Sequence, residues 1–184
     1  MKFCTHCGGS LHHEVPLGDD RPRHICPICG TIHYQNPKLI AGCIPEWGER
    51  VLLCRRAIEP RLGYWTLPAG FMELGETLSD AARREAREEA NIEVEIGPLY
   101  AVFSLAHISQ VYAFFRARMV EEHFSAGVES LEVRLFREEE IPWDEISFET
   151  VHRSLRLFFA DRRQGEFSFR TEDIGPDSSS MRDG

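Results

Sequence analysis

The sequence predicts an α/β fold preceded by a small metal-stapled module. Three observations predict it: two Cys-x-x-Cys pairs near the start, a series of β-branched or apolar runs punctuated by turn residues, and two stretches of helical periodicity. A chain of 184 residues with 42% hydrophobic residues can bury a real core and suits one domain plus a small module. A formal charge of -9 speaks against general affinity for nucleic acid or anionic membranes, which call for a basic face, and suits a protein that gathers cations. No run of about 18 apolar residues is present to span a bilayer. The opening MKFCTHCGG lacks the apolar stretch of a signal peptide, so a reducing cytoplasm is the expected location and disulfides are not expected.

Cys4, Cys7, Cys26 and Cys29 have the spacing of a four-cysteine zinc ribbon over residues 1 to 37. In each pair, CTHCGG and CPICGT, a glycine follows the second cysteine and permits the tight turn that brings amides toward sulfur. His6, His24 and His33 are competing ligands, but two matched thiolate pairs already complete a tetrahedral shell. A closed shell implies structural Zn2+, because catalytic zinc keeps an open position. The segment has few large apolar side chains, so metal must supply its stability, on the order of 10 kcal/mol in such modules. Over residues 1 to 38, four basic residues face three acidic ones, which gives poor support for nucleic-acid binding.

YQNPK, Tyr34 to Lys38, is the expected joint, because Asn36-Pro37 enforces an extended step. A second domain follows over 38 to 170. KLIAGCI and RVLLCRR are runs separated by PEWGE and read as a hairpin, with Cys43 and Cys54 as small buried side chains. YWTLPAG gives a short strand and a turn before a helix over about 78 to 90. Further strands are expected at EVEIGPLYAVFSL, QVYAFFRARMV and LEVRLF. A last helix spans roughly Phe148 to Arg163, where Val151, Leu155, Phe158 and Phe159 recur at helical spacing. Residues 171 to 184 have the polar composition of a flexible tail.

The chemistry concentrates in GFMELGETLSDAARREAREEANI, Gly70 to Ile92. Thr77 with Asp80 resembles a capping box, the alanines favour helix, and Asn91 can take the left-handed conformation at the end. At ~100° per residue, Glu85, Glu88 and Glu89 fall within an arc of roughly 100°, with Arg83, Arg84 and Arg87 nearly opposite. Like charges at i,i+3 and i,i+4 cost ~0.2 to 0.5 kcal/mol each without a counter-ion. A solvated, salt-bridged helix gains nothing from segregating its signs. A hard divalent cation wants clustered carboxylate oxygens and keeps positions free for water and phosphate. Gly70 lets its carbonyl approach the same ion, and the pattern is a metal cradle.

Gly70, Glu76, Arg84-Glu85-Ala86, Glu88-Glu89, Asn91 and Ile92 together resemble the signature of the Nudix hydrolases, departing from it in Asn91 for the usual glycine and in the small Ala86. The resemblance implies an α/β/α sandwich around a mixed sheet and hydrolysis of a nucleoside diphosphate linked to another moiety. It also implies that Glu85, Glu88 and Glu89 hold Mg2+ or Mn2+ with the Gly70 carbonyl, and that Arg84 and Glu76 form a supporting pair. Glu89 is one candidate for the base that takes a proton from water; a later glutamate, Glu129 or Glu132 in GVESLEVRLF, is another.

With the ribbon, YQNPK, LLCRR and ESLEVRLF, the chain is similar to the zinc-ribbon branch of the family, and most similar to its FAD and ADP-ribose pyrophosphatases. The expected substrate is therefore ADP-ribose or FAD, with release of AMP. NADH pyrophosphatases and NAD-cap-removing hydrolases share the ribbon, but their SQPWPFP-like segment is replaced here by LAHISQVYAFF. A nucleotide- or RNA-binding module without activity is the reading from another class. Arg55 and Arg56 are candidates to meet phosphate, and Phe71 or Tyr64 to stack on a ring. Homodimerisation is a family expectation, and the partner expected otherwise is a small nucleotide-derived substrate, not membrane or nucleic acid.

Overall fold

The computed structural model describes residues 1–176. The chain divides into two compact units, Met1–Pro37 and the chain from Lys38 onward. In the first, β1 (His12–Glu14), β2 (Arg23–Ile25) and β3 (Ile32–His33) form an antiparallel sheet in that order. Cys4, Pro16 and Cys26 are its buried residues, so its interior is a cysteine cluster rather than an apolar core.

The second unit contains β4 (Lys38–Trp47), β5 (Arg50–Arg56), β6 (Trp65–Thr66), β7 (Ala69–Phe71), α1 (Leu78–Ala90), β8 (Val94–Leu105), β9 (Gln110–Met119), β10 (Ser130–Phe136), α2 (Glu149–Gln164) and β11 (Arg170–Asp173). The sheet runs β10-β5-β4-β9-β8-β11, with β6 on β5 and β7 on β4. Pairings β4·β9 and β8·β11 are parallel and the others antiparallel, which makes the sheet mixed.

Because side chains alternate along a strand, each central strand feeds two cores. Ile44, Leu53, Phe103 and Phe114 pack with Val151, Leu155, Phe158 and Phe159 of α2. On the other face Cys43, Leu52, Cys54 and Met119 pack with Ala81, Ala82, Ala86 and Ala90 of α1. The result is the α/β/α sandwich. The alanine face of α1 lets that helix lie close to the sheet, and its glutamates come down with it.

Three local features differ from the sequence expectation. Only Gly48 and Glu49 turn the first hairpin, and Pro45, Glu46 and Trp47 belong to β4, where Pro45 sits opposite Ala117 of β9. The ladder between β4 and β5 lasts for two pairs, Glu46 with Val51 and Trp47 with Arg50. Beyond them the strands part and the 65–71 segment wedges between, β6 against β5 and β7 against β4. This wedge places Gly70 under α1.

The expected flexible tail begins too early at 171. Residues 170–173 add a parallel strand to β8, and Ile174 is buried in the α2-side core. Polar residues hide this strand because an edge strand needs only its ladder and an anchor, here the pair between Arg170 and buried Asp161. The rest of that tail, 177–184, lies outside the described residues.

Candidate active site

The Thr77 hydroxyl caps α1 by accepting from the Asp80 amide at 3.2 Å, and Asn91 ends the helix in the left-handed region at φ 50°. Within that frame the three glutamates divide. Glu85 and Glu89 are buried against the sheet at 8% and 7% exposure, and Glu88 stands at the rim with 58% of its side chain exposed. Arg84 ties the rim together. It donates to both oxygens of Glu76 at 2.8 and 3.1 Å, to Glu85 at 2.6 Å, to Glu88 at 3.0 Å and to the Phe71 carbonyl at 3.0 Å. One guanidinium thus fixes two of the acids against the glycine-bearing turn.

Gly70 lets the backbone approach closely, since a Cβ at this position would displace the Glu85 carboxylate from the place where Arg84 holds it. Burial, reinforced by the charge of Glu85, pushes the Glu89 carboxyl up to about 8, against the opposing pull of Arg56 and the Ala69 amide. Burial also raises Glu85, with Arg84 pulling the other way. Glu89 Oε2 is buried and has no hydrogen-bond partner. An orphaned carboxylate oxygen, a second buried acid and a glycine cradle that a methyl group would fill together fit a hard divalent cation. The donor set is all oxygen, which suits Mg2+ or Mn2+ rather than zinc.

The remaining residues singled out by sequence separate across β5. Arg55 and Arg56 are consecutive and point to opposite sides. Arg55 donates to the Gly63 carbonyl at 2.9 Å and lies 3.8 Å from Glu132, its cross-strand partner. Arg56 donates to the Pro60 carbonyl at 2.8 Å, and its charge reaches Glu89 and Tyr112. Glu132 is therefore occupied with Arg55. Glu129, three residues earlier in the turn before β10, is the residue whose charge presses on both Glu85 and Glu89. Phe71 is half exposed, with Lys38 Nζ 4.9 Å from its ring centroid, and Tyr64 lies beneath Arg61. Both rings remain at the surface.

Sequence reasoning singled out Glu129 after Gly127 but missed how the 125–129 loop is tied to the end of α1. Ser125 and Gly127 amides donate to the Ala90 and Glu89 carbonyls at 3.0 Å each, and the Asn91 carboxamide reaches back to the loop. The isolated Gly127, where a Cβ would collide with the Glu88 backbone, was the one available signal.

In the N-terminal unit the sulfurs of Cys4, Cys7, Cys26 and Cys29 all lie within 4.8 Å of one another, the one such group of metal-ligating side chains among the described residues. Cys7 and Cys26 sulfurs are 3.4 Å apart and those of Cys4 and Cys29 3.7 Å, close to the ~3.8 Å edge of a tetrahedron with 2.3 Å zinc–sulfur bonds. The Thr31 hydroxyl and amide pull the Cys29 thiol down to about 6, while in the absence of metal Cys7, against the pull of the Gly9 amide, is pushed up by the neighbouring sulfurs. His33 Nε2 lies 3.2 Å from Cys4 Sγ, as a hydrogen-bonding neighbour of the cluster.

The family model of the NUDIX domain matches residues 37–164, and that of the Nudix N-terminal region matches residues 2–35. The chain belongs to the Nudix hydrolase family. A solved NUDIX hydrolase from Nitrosomonas europaea is 57% identical with a TM-score of 0.94, covering 96% of this chain and 100% of that one. The NAD-capped RNA hydrolase NudC of Vibrio vulnificus is 36% identical over 96 residues, 51% of this chain and 34% of that protein. The mitochondrial NAD(P)H pyrophosphatase NUDT13 of Homo sapiens is 33% identical over 100 residues, 54% of this chain and 27% of that protein. The match to this Nudix hydrolase thus spans about a third or less of these curated relatives. Their names carry NAD chemistry, in place of the FAD or ADP-ribose expected from the sequence. An ADP-ribose pyrophosphatase from Streptococcus suis, at 19% identity and a TM-score of 0.56, shares the fold alone.

Proposed function

We propose that this Nudix hydrolase cleaves the diphosphate of a dinucleotide of the NAD class, adding water across the P–O–P bridge to release AMP and the second mononucleotide. The observation that carries the reaction type is the partnerless buried oxygen of Glu89 beside Glu85 and the Gly70 cradle. The two curated relatives' names support the dinucleotide. Bound Mg2+ or Mn2+, held by Glu85, Glu88, Glu89 and the Gly70 carbonyl, would neutralise phosphate charge and acidify a water. The protein's own groups do the rest. Arg84 and Glu76 hold the acids in place, Arg56, whose charge reaches Glu89, meets the phosphates, and Glu129 takes the proton of the attacking water. Glu129 is preferred to Glu132 because its charge is felt by the metal-binding acids while Glu132 faces Arg55.

ADP-ribose or FAD is the second reading, favoured by LAHISQVYAFF in the place of the NAD-branch segment. RNA carrying an NAD cap presents the same diphosphate, but the charge of -9 disfavours the rest of that substrate. Purified protein with Mg2+ or Mn2+ is assayed for AMP release from NADH, NAD-capped RNA, ADP-ribose and FAD. The highest kcat/KM is expected for NADH, and turnover by Glu89→Gln should fall by about a hundredfold or more with the fold intact. Higher kcat/KM for ADP-ribose or FAD gives the second reading. Nucleotide binding with no release from any substrate leaves a binding module.

A further inference from the structure

We infer that Asn91 is a positioning residue: its carboxamide ties the 125–129 loop to the end of the box helix and thereby holds Glu129 against the acidic cluster. The inference rests on the reading of Glu129 as proton acceptor. Asn91 Nδ2 donates to the Ser125 carbonyl at 3.2 Å and to the Ala126 carbonyl at 3.3 Å. The neighbouring amides continue the seam, Ser125 to Ala90 and Gly127 to Glu89, so the loop is stitched to the last turn of α1 at consecutive points. Gly127 presses against the Glu88 backbone with no room for a side chain. On its far side the loop is pinned to the residue just past β5, where the Glu129 carbonyl accepts from the Ala57 amide at 2.8 Å. Glu129 is thus suspended between two anchors, and Asn91 supplies the side-chain part of one.

The departure from the Nudix pattern acquires a use in this way. Glycine satisfies a left-handed helix end at least as well as asparagine, so the backbone alone gives no reason for the larger residue. What asparagine adds is two donors on a short stem, and both are engaged with the loop. A cap residue acting only on its helix would not need them.

The test uses the full chain with NADH and Mg2+, comparing Asn91→Gly, Glu129→Gln and the double variant. Asn91→Gly relieves a non-glycine left-handed turn but removes two hydrogen bonds, so the melting temperature should change little, while kcat falls by about tenfold to a hundredfold with KM little changed. Hydrogen exchange at the Ser125 and Gly127 amides should quicken by about tenfold or more, because both Asn91 hydrogen bonds to the loop are removed. In the Glu129→Gln background the same change at Asn91 should cost nothing further in kcat. Unchanged kcat and exchange in Asn91→Gly, or an equal fractional loss in both backgrounds, overturns the inference alone. Full activity of Glu129→Gln instead removes the reading beneath it.

Discussion

Glu89 is the residue at which the protein accepts an electrostatic penalty, and the penalty has a pH signature. Its carboxyl is pushed up to about 8 from an ordinary 4.5, chiefly by burial. In the metal-free protein the folded state therefore keeps the proton through that interval while the unfolded chain releases it. Stability must fall as pH rises from 4.5 to 8 and stay low above it, by on the order of 1.4 kcal/mol for each unit of displacement. Glu89→Gln cannot titrate. In the presence of a chelator the variant should match the unmodified protein near about pH 4.5 and exceed it by several kcal/mol near about pH 9, read from denaturant midpoints. Equal midpoints across the range would mean that the carboxyl is not buried as described. A cation at the site should close the gap by favouring the charged form. The choice between Glu129 and Glu132 belongs to the same scale. Both are acids of one short stretch, and the register shift between Ser130 and Glu132 that separates their surroundings leaves no mark in composition or spacing.

At the scale of elements, α1 was readable because its determinants are local. Thr77, Asp80, the run of alanines and Asn91 define Leu78–Ala90 without reference to anything distant, and the acidic stripe located the site on it, although Arg84, expected on the opposite side, reaches across to Glu85 and Glu88. The parting of β4 and β5 was not readable, since the wedge at 65–71 depends on which of two neighbours wins each ladder. Nor was β11, whose anchor is nine residues away on α2. Buried Asp161 accepts from Tyr100 at 2.9 Å and from Arg170 through two nitrogens at 2.6 Å each. Removing that carboxylate strands a guanidinium and a phenol together. Asp161→Ala should cost about 3 kcal/mol and raise hydrogen exchange in 170–173 before the rest of the sheet. A loss under about 1 kcal/mol would show that β11 is held by its ladder alone.

For the whole molecule, the two units hold themselves together by different physics. From Lys38 onward two apolar cores flank one mixed sheet, and neither contains a residue of the first 37. Met1–Pro37 has no comparable core: its three short strands surround four thiols, and those thiols repel one another as thiolates unless a cation sits among them. The ribbon could be read from the spacing of the cysteines because metal ligation constrains sequence more tightly than packing does. Dependence on metal should follow the same division. Stripping zinc from the intact chain, or making Cys26→Ser, should unfold the first 37 residues while the sheet of the second unit keeps its dispersion in NMR spectra and its cooperative melting transition. Proteolysis after chelation should therefore trim the chain from its start and halt near Pro37, where the extended Asn36-Pro37 step meets β4. A ribbon that stays protected without metal, or a second unit that melts with it, would contradict the assignment of stability to the four thiolates.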